Sequence, residues 1–326
     1  MIIPNKLKVN DEVRIIAPSR SLSIIDKKTR EIANTRFKEL GLKLSFSKNC
    51  ESIDDFSSSS IEERIEDLHE AFLDKKVKAI FTVIGGDNVN QLLKYIDYNI
   101  VKRNPKIICG YSDTTALSNA LFHKTELVTY SGPAYSTLGM LKGIDFSINY
   151  IKKCLFSSDP YEVINSEQWS DDAWYIDQEK RNFYKDNGIE VLNHGKAEGK
   201  IVGGNLCTLN LLQGTEFMPE LTNSVLFLED DELTSPSNFD RDLQSLIHQK
   251  NFDRVKGIVI GKFQLKSEVS ETLLKKIIQS KQELASIPVL YNLNFGHTTP
   301  HICFPIGGFV KIDTKSRKQI IIIEKH

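Results

Sequence analysis

Apolar positions along this chain follow two rhythms, short continuous or alternating runs and longer stretches at helical spacing. Glu12-Val-Arg-Ile-Ile-Ala17 predicts a first strand, closed by Pro18-Ser-Arg-Ser21. Residues from about Ile25 to Leu40 predict a helix stopped at Gly41, a natural C-cap, and Leu42-Lys-Leu-Ser-Phe46 alternates as a half-exposed strand does. The serine stretch Ser57 to Ser60 predicts an exposed connection. Ile61, Ile65, Leu68 and Phe72 then recur at helical spacing, with an acidic outer face expected to be solvated. Ala79-Ile-Phe-Thr-Val-Ile84 is an apolar strand running into Gly85-Gly-Asp-Asn88 and a predicted helix through about Ile96. The stretch from Lys106 to Leu121 repeats the plan: a buried strand at Ile107 and Ile108, a Gly-Tyr-Ser-Asp turn, and a helix rich in Ala and Leu. Strand and helix alternate through residue 130, which implies a parallel sheet covered on both faces. The functional loops of such a sheet lie at the carboxyl ends of its strands.

Between about 145 and 200 the pattern weakens. Asn165-Ser-Glu-Gln-Trp-Ser-Asp-Asp-Ala-Trp-Tyr-Ile-Asp177 holds both tryptophans in a polar setting, either a binding lid or a flap packed on a neighbouring domain. A domain boundary is placed near 160, dividing the chain into 1–160 and 161–326. The second half opens with Gly199-Lys-Ile-Val-Gly-Gly-Asn205 and a short helix from Leu206 to Leu212. Ser224-Val-Leu-Phe-Leu228 is a strand that enters Glu229-Asp-Asp-Glu232. A helix over Phe239 to His248, a strand over Gly257 to Gly261 and a helix over Glu271 to Leu284 follow. Strands from about Gly308 to Ile312 and Gln319 to Ile323 close the chain.

Composition narrows the function. At 326 residues, with 40% hydrophobic and 26% charged side chains, the chain can fill two cores and shows no sign of disorder. A net charge of −1 argues against a nucleic-acid partner. Cys50, Cys109, Cys154, Cys207 and Cys303 are scattered with no CxxC, as in a reducing compartment. No secretory core opens the chain and no run approaches about 18 apolar residues, so a cytoplasmic protein without a membrane partner is expected. The first strand lacks a GxGxxG fingerprint, and no histidine pair has the helical spacing of a zinc site; neither a cofactor nor a metal is expected.

Three features carry candidate chemistry. Ser112 sits on a strand-to-helix turn, where a hydroxyl is lifted from the sheet toward the free N–H groups of a helix. It could be a nucleophile, or Ser112 and Asp113 could simply cap the helix. Gly85 and Gly86 allow either close approach to a ligand or a tight turn. Glu229 ends a strand and His297 lies in a glycine-containing loop, so the chain order is serine, acid, histidine. A serine needs a histidine base, and that base needs an orienting carboxylate. Asp230, Asp231 and Glu232 rival Glu229, but alternation puts Glu229 on the face of Val225 and Phe227. His301 is a rival base read as structural, and His69, His123, His194, His248 and His326 are read as surface or capping residues.

Together these stretches resemble the LD-carboxypeptidase family of serine peptidases, including its microcin C immunity branch. The resemblance is carried by Arg14-Ile-Ile-Ala-Pro-Ser19, Glu63 to Phe72, Ile84-Gly-Gly-Asp87, Gly110-Tyr-Ser-Asp-Thr-Thr-Ala-Leu117 and Tyr130-Ser-Gly-Pro133. Gly203-Gly-Asn205, Leu226-Phe-Leu-Glu-Asp230 and Gly296-His-Thr-Thr-Pro300 continue it. It implies an α/β fold: a Rossmann-like N-terminal domain similar to class I glutamine amidotransferases, and a smaller β-rich α/β C-terminal domain. It makes Ser112 the nucleophile, His297 the base, Glu229 its orienting acid, and the backbone N–H groups of Gly86 and Asp113 the oxyanion hole. Gly85, Asp87, Trp169, Trp174 and Asn205 become substrate-binding residues. Murein LD-peptides or peptide–nucleotide conjugates are the implied substrates, and a homodimer the implied assembly. A glutaminase-like amidotransferase lacks a cysteine at the turn, since Cys109 is three residues early; a non-catalytic binding module is the other alternative.

Overall fold

Five strands laid down in chain order build the first sheet: β1 (Glu12–Ile16), β2 (Lys43–Phe46), β3 (Val77–Thr82), β4 (Ile107–Gly110) and β5 (Thr129–Ser131). The computed structural model describes residues 1–316 and 319–326. These five strands run parallel in the order 2-1-3-4-5. Val13, Ile15, Ile80, Ile107 and Ile108 have no exposed surface, as strands covered on both faces require. From the β1–β3 pair the sheet grows outward in both directions, so the loops after these two strands part and leave a crevice at their carboxyl ends. Pro18 to Arg20 and Gly85-Gly86 occupy those loops.

The helices between these strands start where their caps dictate. Asp26 caps α1 (Lys27–Glu39) by accepting from the Thr29 N–H. Ser60 and Glu63 form a reciprocal capping box at the start of α2 (Ile61–Leu73). Two expectations fail here. The acidic outer face of α2 is not wholly solvated, because Asp67 is buried, as is Arg64 on the flank of the apolar stripe, and the serine stretch is not exposed at Ser58 and Ser59. Ser58 Oγ donates to the Ser19 carbonyl at 2.6 Å, and Arg64 reaches the Pro18 and Asn88 carbonyls at 3.1 and 3.2 Å. Both polar groups are drawn inward to satisfy the backbone of the crevice loops.

The helix expected through Ile96 is a single 3₁₀ turn, Val89–Leu92. Asn88 holds Arg64 through its side-chain oxygen at 2.9 Å and makes no capping bond, so nothing nucleates a longer helix. A fresh helix, α3 (Tyr98–Arg103), starts instead on the Asp97 side chain. The weak region after 145 contains the helix Asp145–Ile151 and a wide turn, Lys152–Phe156. His326, expected at the surface, is buried against the Tyr161 ring with its Nδ1 2.7 Å from Lys6 Nζ.

The second sheet has eight strands and a mixed pattern. Lys196–Asn205, Ser224–Glu229, Gly257–Gly261 and Val289–Leu293 run parallel at its centre. Phe309–Asp313, Ile321–Lys325, Tyr161–Glu162 and Glu190–Asn193 extend it antiparallel at the two sides. Phe304–Ile306 stands outside this sheet and pairs antiparallel with β5, so the C-terminal half supplies the last strand of the N-terminal sheet. No helix among the described residues is long and apolar enough to cross a membrane.

Between the two sheets lies α4 (Thr114–Thr125), the helix of the Gly-Tyr-Ser-Asp turn, buried on nearly every side. Asn119 bonds both ways with the backbone of Gly203, donating to its carbonyl at 2.8 Å and accepting from its N–H at 3.2 Å. The Asn205 N–H donates to Thr115 Oγ1 at 3.0 Å. A Cβ at Gly204, whose φ is +120°, would come within 2.5 Å of that hydroxyl, so a side chain there would push the halves apart. These bonds fix the C-terminal strand against the helix that carries Ser112.

Candidate active site

Ser112 has φ of +61°, a left-handed conformation that costs a non-glycine residue on the order of 1 kcal/mol or more. The strain turns its side chain up from the end of β4, toward the second half of the chain. Room for the hydroxyl comes from Gly85: a Cβ there would sit 2.8 Å from Ser112 Cβ and 2.9 Å from its Oγ. The paired glycines therefore serve close approach, of Ser112 at Gly85 and of Ser19 and Arg20 at Gly86.

From the other sheet, Ser224–Glu229 ends on Glu229, with 3% of its side chain exposed. His297 lies between them. Its Nδ1 is 2.8 Å from Glu229 Oε2 and its Nε2 is 3.0 Å from Ser112 Oγ. A carboxylate only accepts, so Nδ1 carries the proton and Nε2 presents its lone pair to the serine hydroxyl. The arrangement can take a proton from Ser112 and hold the resulting imidazolium. Tyr111 packs its ring against both His297 and His301. His301 is buried, with its Nδ1 3.1 Å from the Gly296 carbonyl, and burial drives its pKa down to about 4. It stays neutral and touches neither Ser112 nor Glu229.

Burial lowers the His297 pKa, but Glu229, by charge and hydrogen bond, with Asp231 and Asp230 behind it, outweighs burial and raises the pKa above 6.5. Only the neutral ring can accept the serine proton, so kcat/KM should climb with pH through one ionisation lying above 6.5. A pH–rate profile checks this; a limb centred below 6.5 would show that burial wins.

Asp113 follows the serine and is buried. Its Oδ2 accepts from Ser19 Oγ at 2.6 Å and from the N–H groups of Asn88 and Val89, both at 2.9 Å. These charge-assisted bonds, typically about 1.5–3 kcal/mol each, tie the loops after β1 and β3 to the serine turn. Sequence reading missed Arg64, Ser19 and Ser58, which complete this network; the spacing of Arg64, three residues after Ile61 and four before Leu68, could have placed it beside the buried stripe of α2, whereas no periodic signal marks Ser19 or Ser58. The N–H groups of Gly86 and Asp113 donate to no acceptor among the described residues. Both residues line the cleft with Ser112, Asp87 and Asn205. Asp87 is salt-bridged to Arg20 at 2.9 Å. Asn205 caps the next helix by accepting from the Thr208 N–H at 3.0 Å, while its Nδ2 donates to Asp230 Oδ1 at 3.3 Å.

The two tryptophans sit on a tethered flap. Gln168–Trp169 pairs with Tyr184–Lys185, and Trp169 packs on the Tyr184 ring with Lys262 Nζ 5.0 Å from its centre. Trp174 meets Tyr175 edge-on. Neither indole lines the cleft around Ser112. The flap is nonetheless fastened to the histidine loop: Ser170 and Thr299 exchange two backbone bonds of 2.7 Å, and the Ser166 N–H donates to Asn294 Oδ1 at 2.7 Å.

Residues 13–132 match the LD-carboxypeptidase N-terminal domain and residues 198–312 the LD-carboxypeptidase C-terminal domain. A putative carboxypeptidase of Bacillus subtilis, YocD, is 51% identical over 99% of both chains. The microcin C7 self-immunity protein MccF of Escherichia coli is 33% identical over 98% of this chain and 95% of its own. A structure of MccF in complex with glutamyl sulfamoyl guanosine superposes with a TM-score of 0.90 at 31% identity, covering 99% of this chain and 98% of the other. The crystal structure of an MccF-like protein from Bacillus anthracis superposes with a TM-score of 0.98 at 52% identity, over the whole of both chains.

Proposed function

The chain belongs to the LD-carboxypeptidase family of serine peptidases, and from that premise we propose that Ser112, His297 and Glu229 form its catalytic triad. The hydrogen-bonded sequence Glu229 to His297 to Ser112 is the observation that supports this most strongly. In the proposed reaction Ser112 Oγ attacks an amide carbonyl as its proton passes to His297 Nε2. The carbonyl oxygen takes the charge and is met by the unpartnered N–H groups of Gly86 and Asp113. His297 then returns the proton to the leaving nitrogen, the C–N bond breaks, and the acyl group remains on Ser112. Water, deprotonated by the same histidine, releases the acid.

Two substrate classes fit the family: murein peptides ending in an L-to-D bond, and microcin-like conjugates of an amino acid with a nucleotide. MccF has been captured with glutamyl sulfamoyl guanosine and with aspartyl sulfamoyl adenosine, which favours including the second class. Incubating the enzyme with a murein tetrapeptide and an aminoacyl sulfamoyl adenosine, followed by mass spectrometry, tests the proposal. Release of D-alanine or of sulfamoyl adenosine supports it, and two intact substrates count against it. Glutaminase chemistry finds no support at the turn, because Cys109 is fully buried within β4. The 2-1-3-4-5 strand order is in keeping with the glutamine-amidotransferase kinship of the N-terminal half. A cytoplasmic homodimer completes the proposal.

The Trp flap is assigned to substrate choice. A base stacked on an indole typically gains about 1–3 kcal/mol, so Trp169→Ala or Trp174→Ala should weaken hydrolysis of nucleotide conjugates by about tenfold or more. Murein peptides, which have no base, should be spared. Comparing kcat/KM on the two substrates decides it; equal losses would assign the flap to folding around Thr299.

A further inference from the structure

The cleft beside Ser112 is uneven in charge. Past Asn205 its wall is formed by Asp230, Asp231, Thr234 and Asp242, with Arg241 as the one cation lining it among the described residues. Asp230, read from the sequence only as a rival to Glu229, is 2% exposed. Its Oδ1 accepts from Asn205 Nδ2 and the Asp231 N–H; the Cys207 thiol, a weak donor, lies close to the carboxyl but is directed to Asn205 Oδ1 at 3.0 Å, and Asp230 Oδ2 has no hydrogen-bond partner among the described residues. Thr234 Oγ1, also buried, lacks one too. Asp113 differs: three donors compensate its charge, whereas no cation among the described residues meets Asp230. Arg241 is mostly exposed and turns to Asn238 and Asp242. Burial, with Glu229 and Asp231 nearby, pushes the Asp230 carboxyl up to about 7, as expected of a buried acid without a counter-charge. A buried carboxylate oxygen without a partner is costly unless a donor arrives from outside.

We propose that Asp230 and Asp231 form a subsite for an ammonium group on the acyl residue of the substrate. The proposal rests on the hydrolase reading above and names the substrate feature it selects. On the leaving side both substrate classes are anionic before cleavage, through a D-amino acid carboxylate or through an ionised phosphoryl or acyl-sulfamate group, and an aspartate-rich wall repels that side. The acyl residue therefore faces the acidic wall, and its ammonium donates to Asp230 Oδ2. Two sources offer that group next to the scissile amide: the free α-ammonium of a single aminoacyl unit, or the side-chain ammonium of a diamino acid.

Paired ligands that differ only in that charge separate the cases. One pair is alanyl and propionyl sulfamoyl adenosine; the other is a murein tetrapeptide with diaminopimelate before D-alanine and the same peptide acetylated on the side-chain nitrogen. Affinities are measured by calorimetry on Ser112→Ala, which holds substrate without turnover, and kcat/KM on the wild type. In at least one pair the ammonium ligand should bind about tenfold or more tightly, as a charge-assisted hydrogen bond predicts, and the pair that responds identifies the source. Asp230→Asn and Asp231→Asn should shrink that ratio toward one. Both are near-isosteric, thermal melts check their folding, and a ratio within one variant cancels any general effect on His297. Equal affinity within both pairs, absence of binding by all four ligands, or a ratio that survives both substitutions would overturn the subsite. A wild-type enzyme that binds with the expected ratio but hydrolyses neither substrate would sink the hydrolase reading and leave the subsite standing.

Discussion

Ser112→Ala is expected to abolish hydrolysis while leaving the fold in place. Among the described residues the side chain makes one hydrogen bond, the 3.0 Å contact with His297 Nε2, so its loss leaves the bonds of Asn119, Asn205 and Asp113 that hold the two halves and the crevice loops. Alanine inherits the same left-handed strain, and Gly85 still leaves space for its Cβ. Turnover should fall by at least about 10³-fold, the usual loss when one triad member goes, with the melting temperature within a few degrees of the parent. Steady-state rates and a thermal melt on the same preparation decide it. Undiminished turnover in the pure variant would remove the serine from the mechanism.

Glu229→Gln should be almost as severe, for a different reason. Glutamine keeps the volume of a side chain that is nearly all buried, but its amide can donate as well as accept. Donation to Nδ1 moves the imidazole proton to Nε2, so the ring turns an N–H rather than a lone pair toward Ser112. A loss in kcat of roughly 10³–10⁴-fold follows from the wrong tautomer. The pH profile should shift as well. Glu229 supplies the strongest influences raising the His297 pKa, and without it burial is opposed only by Asp231 and Asp230. The rising limb of residual activity should therefore move to lower pH. Asp230, relieved of its anionic neighbour, should ionise more readily than it does at about 7. A variant whose rate falls without any displacement of its limb would mean that Glu229 positions the ring but does not tune it.

The serine turn was legible because three local signals coincide in one short segment: an apolar strand, a turn with a hydroxyl, and an Ala-Leu helix. Glu229 was legible from alternation, since a carboxylate in register with Val225 and Phe227 must end up beside the core. Arg64 was not. On a helical wheel it flanks the apolar stripe of α2, between Leu68 and Ala71, but a guanidinium there could as well reach solvent, and the carbonyls of Pro18 and Asn88, brought by two other loops, are what hold it inside. Ser58 and Asp230 escaped detection likewise, because each sits in a run of like residues whose individual exposure is decided by tertiary neighbours. The shortened turn after Asn88 follows the same logic, a cap lost to a long-range partner.

The strand Phe304–Ile306 ties assembly to chronology. While the polypeptide is being synthesised, β1 to β5 leave the ribosome with the outer side of β5 unpaired, and the strand that covers it arrives on the order of 170 residues later. A bare parallel-sheet edge flanked by apolar faces is a template for wrong partners, so the nascent N-terminal half passes through a window in which it depends on chaperones or on speed. The same delay keeps Ser112 idle, since the histidine loop and the strand that seals the sheet are neighbours in the chain and arrive together. Ser112 and His297 are thus brought together only in a molecule whose sheets are both complete, and a fragment stopped before residue 304 would be aggregation-prone.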